Sequence, residues 1–190
     1  MAKVGLRHAR YCKISVTEED TGKDVESYGE VKTFSKAIRA NTSVNAAQAD
    51  LYADDGLAET ASEFIDGSLT FEGDDIEPTV EAEVTGETMT EAGELKNSGD
   101  DTAPYLRFGF IVRRYKANKS QYMGLVFTKL KFDPIPDDYE TKGQSIVFKT
   151  LTMTAKFMAN SEGVWRIKSA WMDKETEADA WLAANIKPTA

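Results

Sequence analysis

Apolar positions alternate most clearly in the second half of the chain. From Tyr105 to Tyr115, Leu106, Phe108, Phe110 and Val112 share one parity, and Arg107, Ile111 and Arg113 share the other. A period of two marks a strand with distinct faces. Tyr122 to Phe132 is apolar on both parities for most of its length, which predicts a central strand covered on two sides. Pro134, Pro136 and Asp137-Asp138 end that run. Ser145 to Phe157 predicts a further strand. Val147, Leu151, Met153 and Phe157 lie on one face, and Phe148, Thr150, Thr152, Thr154 and Lys156 on a wetted one. Val164 to Trp171 reads as the last strand, with Trp165, Ile167 and Trp171 on one side.

The first half is patterned more weakly. Leu6 to Val16 predicts a strand packed through Tyr11, Ile14 and Val16. Glu18 to Glu30, with Gly22 and Gly29, reads as the tip of a long hairpin whose returning arm carries Tyr28, Val31 and Phe34. Ile38 to Val44 is a short strand candidate. Leu51 and Tyr52 precede a turn at Asp54-Asp55-Gly56, and Phe64 to Phe71 is strand-like, with a turn or bulge at Asp66-Gly67. A short helix is expected from Asp75, with Pro78 in its first turn, to about Val84, stopping at Gly86. Glu87 to Ala103 has few large apolar residues and reads as a flexible loop. Thr176 offers a cap, with Asp179 three residues on, for a short C-terminal helix with Ala178, Trp181 and Leu182 on one face and Pro188 past its end. The sum is a mainly β chain of about seven to nine mostly antiparallel strands, a sandwich or barrel with one or two short helices. Residues 1–190 read as a single domain without internal repeats.

Charge adds a second pattern. The net charge is −9, which disfavours a reader of nucleic acid. It is also segregated. Residues 1–49 carry 8 Lys/Arg and 6 Asp/Glu, residues 50–101 carry 1 and 17, and residues 102–190 carry 14 and 9. An acidic block therefore sits between two mildly basic ones. No apolar run is long enough for a membrane helix, and the first ten residues lack the apolar centre of a signal peptide. With Cys12 as the one cysteine no intrachain disulfide can form, so folding in a reducing cytoplasm is expected.

Little in the sequence carries chemistry. His8 and Cys12 lie four apart on one predicted strand and would share a face, but no nucleophile signature surrounds them. One His and one Cys make zinc a poor fit. The doublets Asp54-Asp55, Asp74-Asp75, Asp100-Asp101 and Asp137-Asp138 each fall at a predicted turn and lack the spacing of a calcium loop. No phosphate-cradling glycine motif occurs. The expectation is a non-enzyme with no cofactor and no metal.

The segments Leu51-Tyr52-Ala53-Asp54-Asp55, Glu63 to Phe71 and Asp74-Asp75-Ile76, followed by Phe108-Gly109-Phe110 and Tyr122 to Phe132, resemble the major tail (tail tube) proteins of long-tailed bacteriophages and prophages of Gram-positive bacteria. The likeness runs over about residues 5–172, most specifically over 51–76. It implies an antiparallel β-sandwich or barrel of the tail-tube type with a long hairpin, stacked hexameric rings, and a tube through which DNA leaves the virion. The chain is too short to add the immunoglobulin-like domain that many members carry. Implied partners are further copies of the chain, then tape-measure, tail terminator and distal tail proteins. DNA would pass through the lumen non-specifically. The protein would reside in the virion tail after assembly in the host cytoplasm, with no membrane insertion.

Under this reading 18–30 and 87–103 are expected to be inter-subunit arms. The expected contact residues are Tyr28, Tyr52, Asp54, Asp55, Asp100, Asp101, Arg113, Arg114, Lys116 and Lys119. The acidic block would either meet basic residues of a neighbouring copy or line the lumen. Two other classes remain open: a monomeric β-sandwich that binds a glycan or protein, and a hydrolase, should two Asp doublets converge on a cleft.

Overall fold

The computed structural model describes residues 3–18, 24–53, 56–141 and 149–188. Eleven strands and two helices follow in the order β1 (Lys3–Glu18), β2 (Asp24–Tyr28), β3 (Lys32–Thr33), β4 (Ala37–Ala53), β5 (Gly56–Gly73), α1 (Pro78–Thr85), β6 (Thr88–Met89), β7 (Leu95–Lys96), β8 (Tyr105–Lys116), β9 (Lys119–Phe132), β10 (Leu151–Met158), β11 (Arg166–Lys168) and α2 (Glu175–Ile186). The fold is mainly β. Nine strands form one antiparallel sheet, ordered β2-β1-β8-β9-β10-β5-β4, with β11 added to β9 and β3 to β1. The sheet curls until β4 approaches β1. Its concave face then encloses the core, in which Tyr11, Phe71, Phe108, Phe127, Leu130, Met153 and Phe157 are fully buried.

Phe34 fills the mouth of this curl from an irregular segment. Its ring meets Tyr11, Phe71 and Phe108 edge-on and stacks on Phe132 at 5.1 Å. The convex face is covered by α2, whose Ala178, Leu182 and Ile186 bury against Cys12, Ile111 and Val126. This explains why β9 is apolar on both parities. Gly124 permits the approach, because a Cβ there would lie 2.3 Å from the Trp181 ring.

The helix α1 starts at Pro78, three residues later than expected, with extended Glu77 as its cap. It ends at left-handed Gly86, whose N–H donates to the Ala82 carbonyl. The carboxylate of Glu83 ties α1 to the sheet: Tyr11 donates to it at 2.7 Å, and Lys32 pairs with it. Partial burial raises the Glu83 pKa, but the hydrogen bonds from Lys32 and Tyr11 outweigh that and leave it lowered. α2 starts at Glu175 after Lys174, with no side-chain cap; Thr176 lies inside the helix and does not cap it. The strand expected over 145–157 covers Leu151–Met158; residues 142–148 lie outside the described residues. The last strand contracts to three residues, Arg166–Lys168.

The hairpin expected with its tip in 18–30 is present: its returning arm, β2 and β3, pairs with β1 from Arg10↔Thr33 to Glu18↔Asp24, and 19–23 lie outside the described residues. The largest difference from the sequence reading is a second, longer hairpin, β4–β5, paired from Ala37↔Gly73 out to Ala53↔Gly56, with the turn residues Asp54 and Asp55 outside the described residues. Segment 87–103 is also not one flexible loop. It holds the small β6–β7 hairpin and closes on itself where Gly86 meets Thr102.

Two outcomes test this packing. Phe34→Ala should cost about 3–5 kcal/mol in urea unfolding, because it empties the centre of the aromatic cluster. A loss under about 1 kcal/mol would contradict that role. The lowered Glu83 pKa supports folding above the ordinary carboxyl value of 4.5 and ceases to as pH falls through its folded value. Glu83→Gln should therefore flatten the acid limb of the stability–pH profile, and an unchanged limb would remove Glu83 from the account.

Candidate assembly surface

Beyond the body, β4 and β5 continue as a bare two-stranded ribbon. The sheet's last buried positions on β5 are Gly67 and Leu69. At the root, half-buried Phe64 stacks on Trp165 at 4.7 Å, and Asn45 donates to Asp66 at 2.6 Å. Past that point Ala46–Tyr52 and Gly56–Glu63 are exposed on both faces. At about 3.3 Å per residue the ribbon reaches roughly 25–30 Å. Register shifts near Ala46 and Tyr52 increase its local twist.

The ribbon keeps its apolar side chains in water. Leu51 and Tyr52 stand near the tip with Leu57, which is paired directly with Tyr52; Tyr52 is 68% exposed and Leu57 58%. Ile65 and Val44 are exposed at the root. A lone two-stranded hairpin is marginal in water, and an edge of this length is a ready template for another chain. From 45 to 66 the sequence holds six carboxylates and no Lys or Arg.

Cations collect on another hairpin. β8 and β9 are joined by a two-residue turn in which Ala117 and Asn118 both have positive φ, 50° and 61°. Lys116 and Lys119 oppose each other directly before it, and Lys3 of β1 sits opposite Arg114. Arg114 donates to Gln121 and lies 3.9 Å above the Trp171 ring, while Arg113 donates to Ser120. Among the described residues, none of these five cations pairs with a carboxylate.

The remaining expected contact residues scatter. Tyr28 is half-buried, donates to Glu26 at 2.9 Å and carries the Arg107 guanidinium 5.1 Å from its ring, so it serves internal packing. Nothing in the sequence pattern marks Arg107 as an interior residue; it is 3% exposed and donates to the Asn185 carbonyl at the end of α2. Asp101 accepts from the Ser98 N–H, and exposed Asp100 shares that turn. Asp54 and Asp55 lie outside the described residues.

The chemical candidates separate as well. His8, at φ 54°, faces Glu175 at 3.1 Å, whereas Cys12 donates to the Ile186 carbonyl at 3.1 Å. Their partners Glu175 and Ile186 sit at opposite ends of α2, about 16 Å apart by helical rise. Burial pushes the Cys12 thiol up to about 11, so it is a poor nucleophile. Two Asp doublets do meet: Asp74, Asp75, Asp137 and Asp138 line one cavity of about 330 Å³ with Glu81. Burial, then repulsion from Glu87, Asp137 and Asp75, raises the Glu81 pKa. The doublets also hold local structure. Asp74 accepts from the Lys36 and Asp75 N–H groups, Asp137 from the Tyr139 hydroxyl, and Asp138 pairs with Lys149. Among the described residues, no three His, Cys, Asp or Glu side chains are grouped to hold a metal ion.

The chain matches no protein-family model and no curated protein sequence.

Because the ribbon packs on none of the other described residues, truncating its tip should spare the fold. Leu51→Ala, Tyr52→Ala and Leu57→Ala together should shift body stability in dilute solution by no more than about 1 kcal/mol. A loss above about 3 kcal/mol would mean the tip is packed within one copy.

Proposed function

We propose that the protein is a structural subunit that assembles with copies of itself, and that the assembly is the stacked, hexameric-ring tube of a bacteriophage tail. The observation that carries this reading is the β4–β5 arm, which holds paired strands and apolar side chains in water with no partner among the described residues. An arm on one patch that docks on a different patch of the next copy gives a heterologous contact. Repetition of that contact closes a ring or runs on as a filament. The mainly β antiparallel fold and the long hairpin agree with what the sequence resemblance implies. On this reading the subunit has no enzymatic role. It contacts further copies, tape-measure, terminator and distal tail proteins, and it encloses DNA without reading its sequence.

A carboxylate hydrolase has one observation in its favour, the convergence of Asp74-Asp75 and Asp137-Asp138 on a single cavity. The tube reading treats that cavity as a junction of turns.

Negative-stain electron microscopy across a concentration series separates the readings. Assembly predicts rings or hollow tubes of uniform width that grow with concentration, unaltered by Asp75→Asn with Asp137→Asn. Single copies at every concentration would overturn it.

A further inference from the structure

The exposed arm poses a specific problem: which surface of a second copy it meets. Its charge removes one end of the molecule from consideration. Following the antiparallel registers, the β4–β5 tip, the β8–β9 turn and the start of β1 lie at one end of the strands. The opposite end carries Asp74, Asp75 and Glu77 after β5, and Asp137 and Asp138 after β9. An arm with six carboxylates and no cation is repelled by that end.

At the arm's own end stands the basic β8–β9 hairpin. Lys116 and Lys119 face each other across the ladder, and like charges directly opposed destabilise a strand pair. Lys3 and Arg114 form a second opposed cationic pair one step away. Lys168, on neighbouring β11, has a lowered pKa from partial burial and then from repulsion by Arg166 and Lys3. Among the described residues this surface has no anionic partner, and Tyr115, 52% exposed, adds apolar area to it. Within one copy, β10 lies between β5 and this hairpin, and the arm's residues are exposed.

We propose that the arm of one copy lies across the β8–β9 hairpin of the copy beside it, its carboxylates against Lys116, Lys119 and the Lys3–Arg114 pair, and its Leu51–Tyr52–Leu57 tip on apolar ground that includes Tyr115. The interface joins the same end of two copies through different patches. It is therefore a side-by-side interface that propagates around a ring, not one between the acidic end of one copy and the basic end of the next. The inference rests on the self-assembly reading above.

Charge exchange tests it. Four chains are compared by sedimentation velocity: the native protein, Asp50→Lys with Glu59→Lys, Lys116→Glu with Lys119→Glu, and all four changes together. These positions are exposed and outside the core, so circular dichroism should be unchanged. Each double variant should need at least about tenfold more protein to assemble, because like charges then face each other across every interface. The fourfold variant should return to within about threefold of native. An equimolar mixture of the two double variants should also assemble, since each arm then faces a complementary hairpin on the other. Double variants that assemble like the native chain would overturn the docking and leave self-assembly standing. So would a fourfold variant and a mixture that both stay defective. A native chain that never assembles would overturn both readings.

Discussion

A ribbon of two strands has no second layer. Every side chain of β4 and β5 beyond Phe64 points into solvent on one face or the other, and no fold of the ribbon alone changes that. The rest of the molecule is arranged so that this ribbon is held without being buried. Gly67 lets the Phe157 ring press against β5, Phe64 stacks on Trp165 and Phe157, and Asn45 bonds Asp66 across the root. The root is packed and hydrogen-bonded, and the ribbon beyond it is exposed. Burial of Leu51, Tyr52 and Leu57 by a partner would release on the order of 1.5–3 kcal/mol each. The copy alone forgoes that energy.

The core clusters of the body include no residue of the exposed ribbon. Its core is a curled sheet closed by Phe34 on the inside and by α2 on the outside. The two are stabilised differently: the inside by aromatic packing, the outside by largely aliphatic packing under α2 and by Arg107 reaching the carbonyl end of α2. This division leaves the exposed hairpins free to change charge while the core stays the same. Acidic and basic groups are sorted between the arm, the β8–β9 hairpin and the turn-rich opposite end, and under the proposed self-assembly such sorting would select one arrangement of copies by excluding others.

The second half of the chain is legible in the sequence because burial there is one-sided or complete, and both leave a readable period. Leu106, Phe108, Phe110 and Val112 are in the concave core and Ile111 is under α2, as their parities imply. The alternation of Met153 and Phe157 with Thr152, Thr154 and Lys156 likewise matches buried and exposed faces of β10. The arm leaves no such trace. Ala46 to Glu63 is rich in Ala and acids, and a strand buried on neither face has no reason to alternate. The stretch therefore reads as short pieces around a turn, whereas the hairpin that returns through Tyr28 to Phe34 against β1 is legible from its turn residues and apolar returning arm. Among the expected contact residues, Tyr52, Arg113, Arg114, Lys116 and Lys119 fall on the two hairpins of the candidate surface. Tyr28 is engaged internally, because its partner Arg107 is buried in a way that only the position of α2 reveals.

Hydrogen exchange of the backbone amides is the most direct test of the central claim, that the β4–β5 arm is ordered in one copy and completed by another. In dilute protein, amides of Ala46–Tyr52 and Gly56–Glu63 should exchange far faster than those of β8 and β9. In concentrated protein the arm and the β8–β9 turn should gain protection together, with the core unchanged. Arm amides that are equally protected at every concentration, or that stay unprotected when the protein is concentrated, would contradict the account.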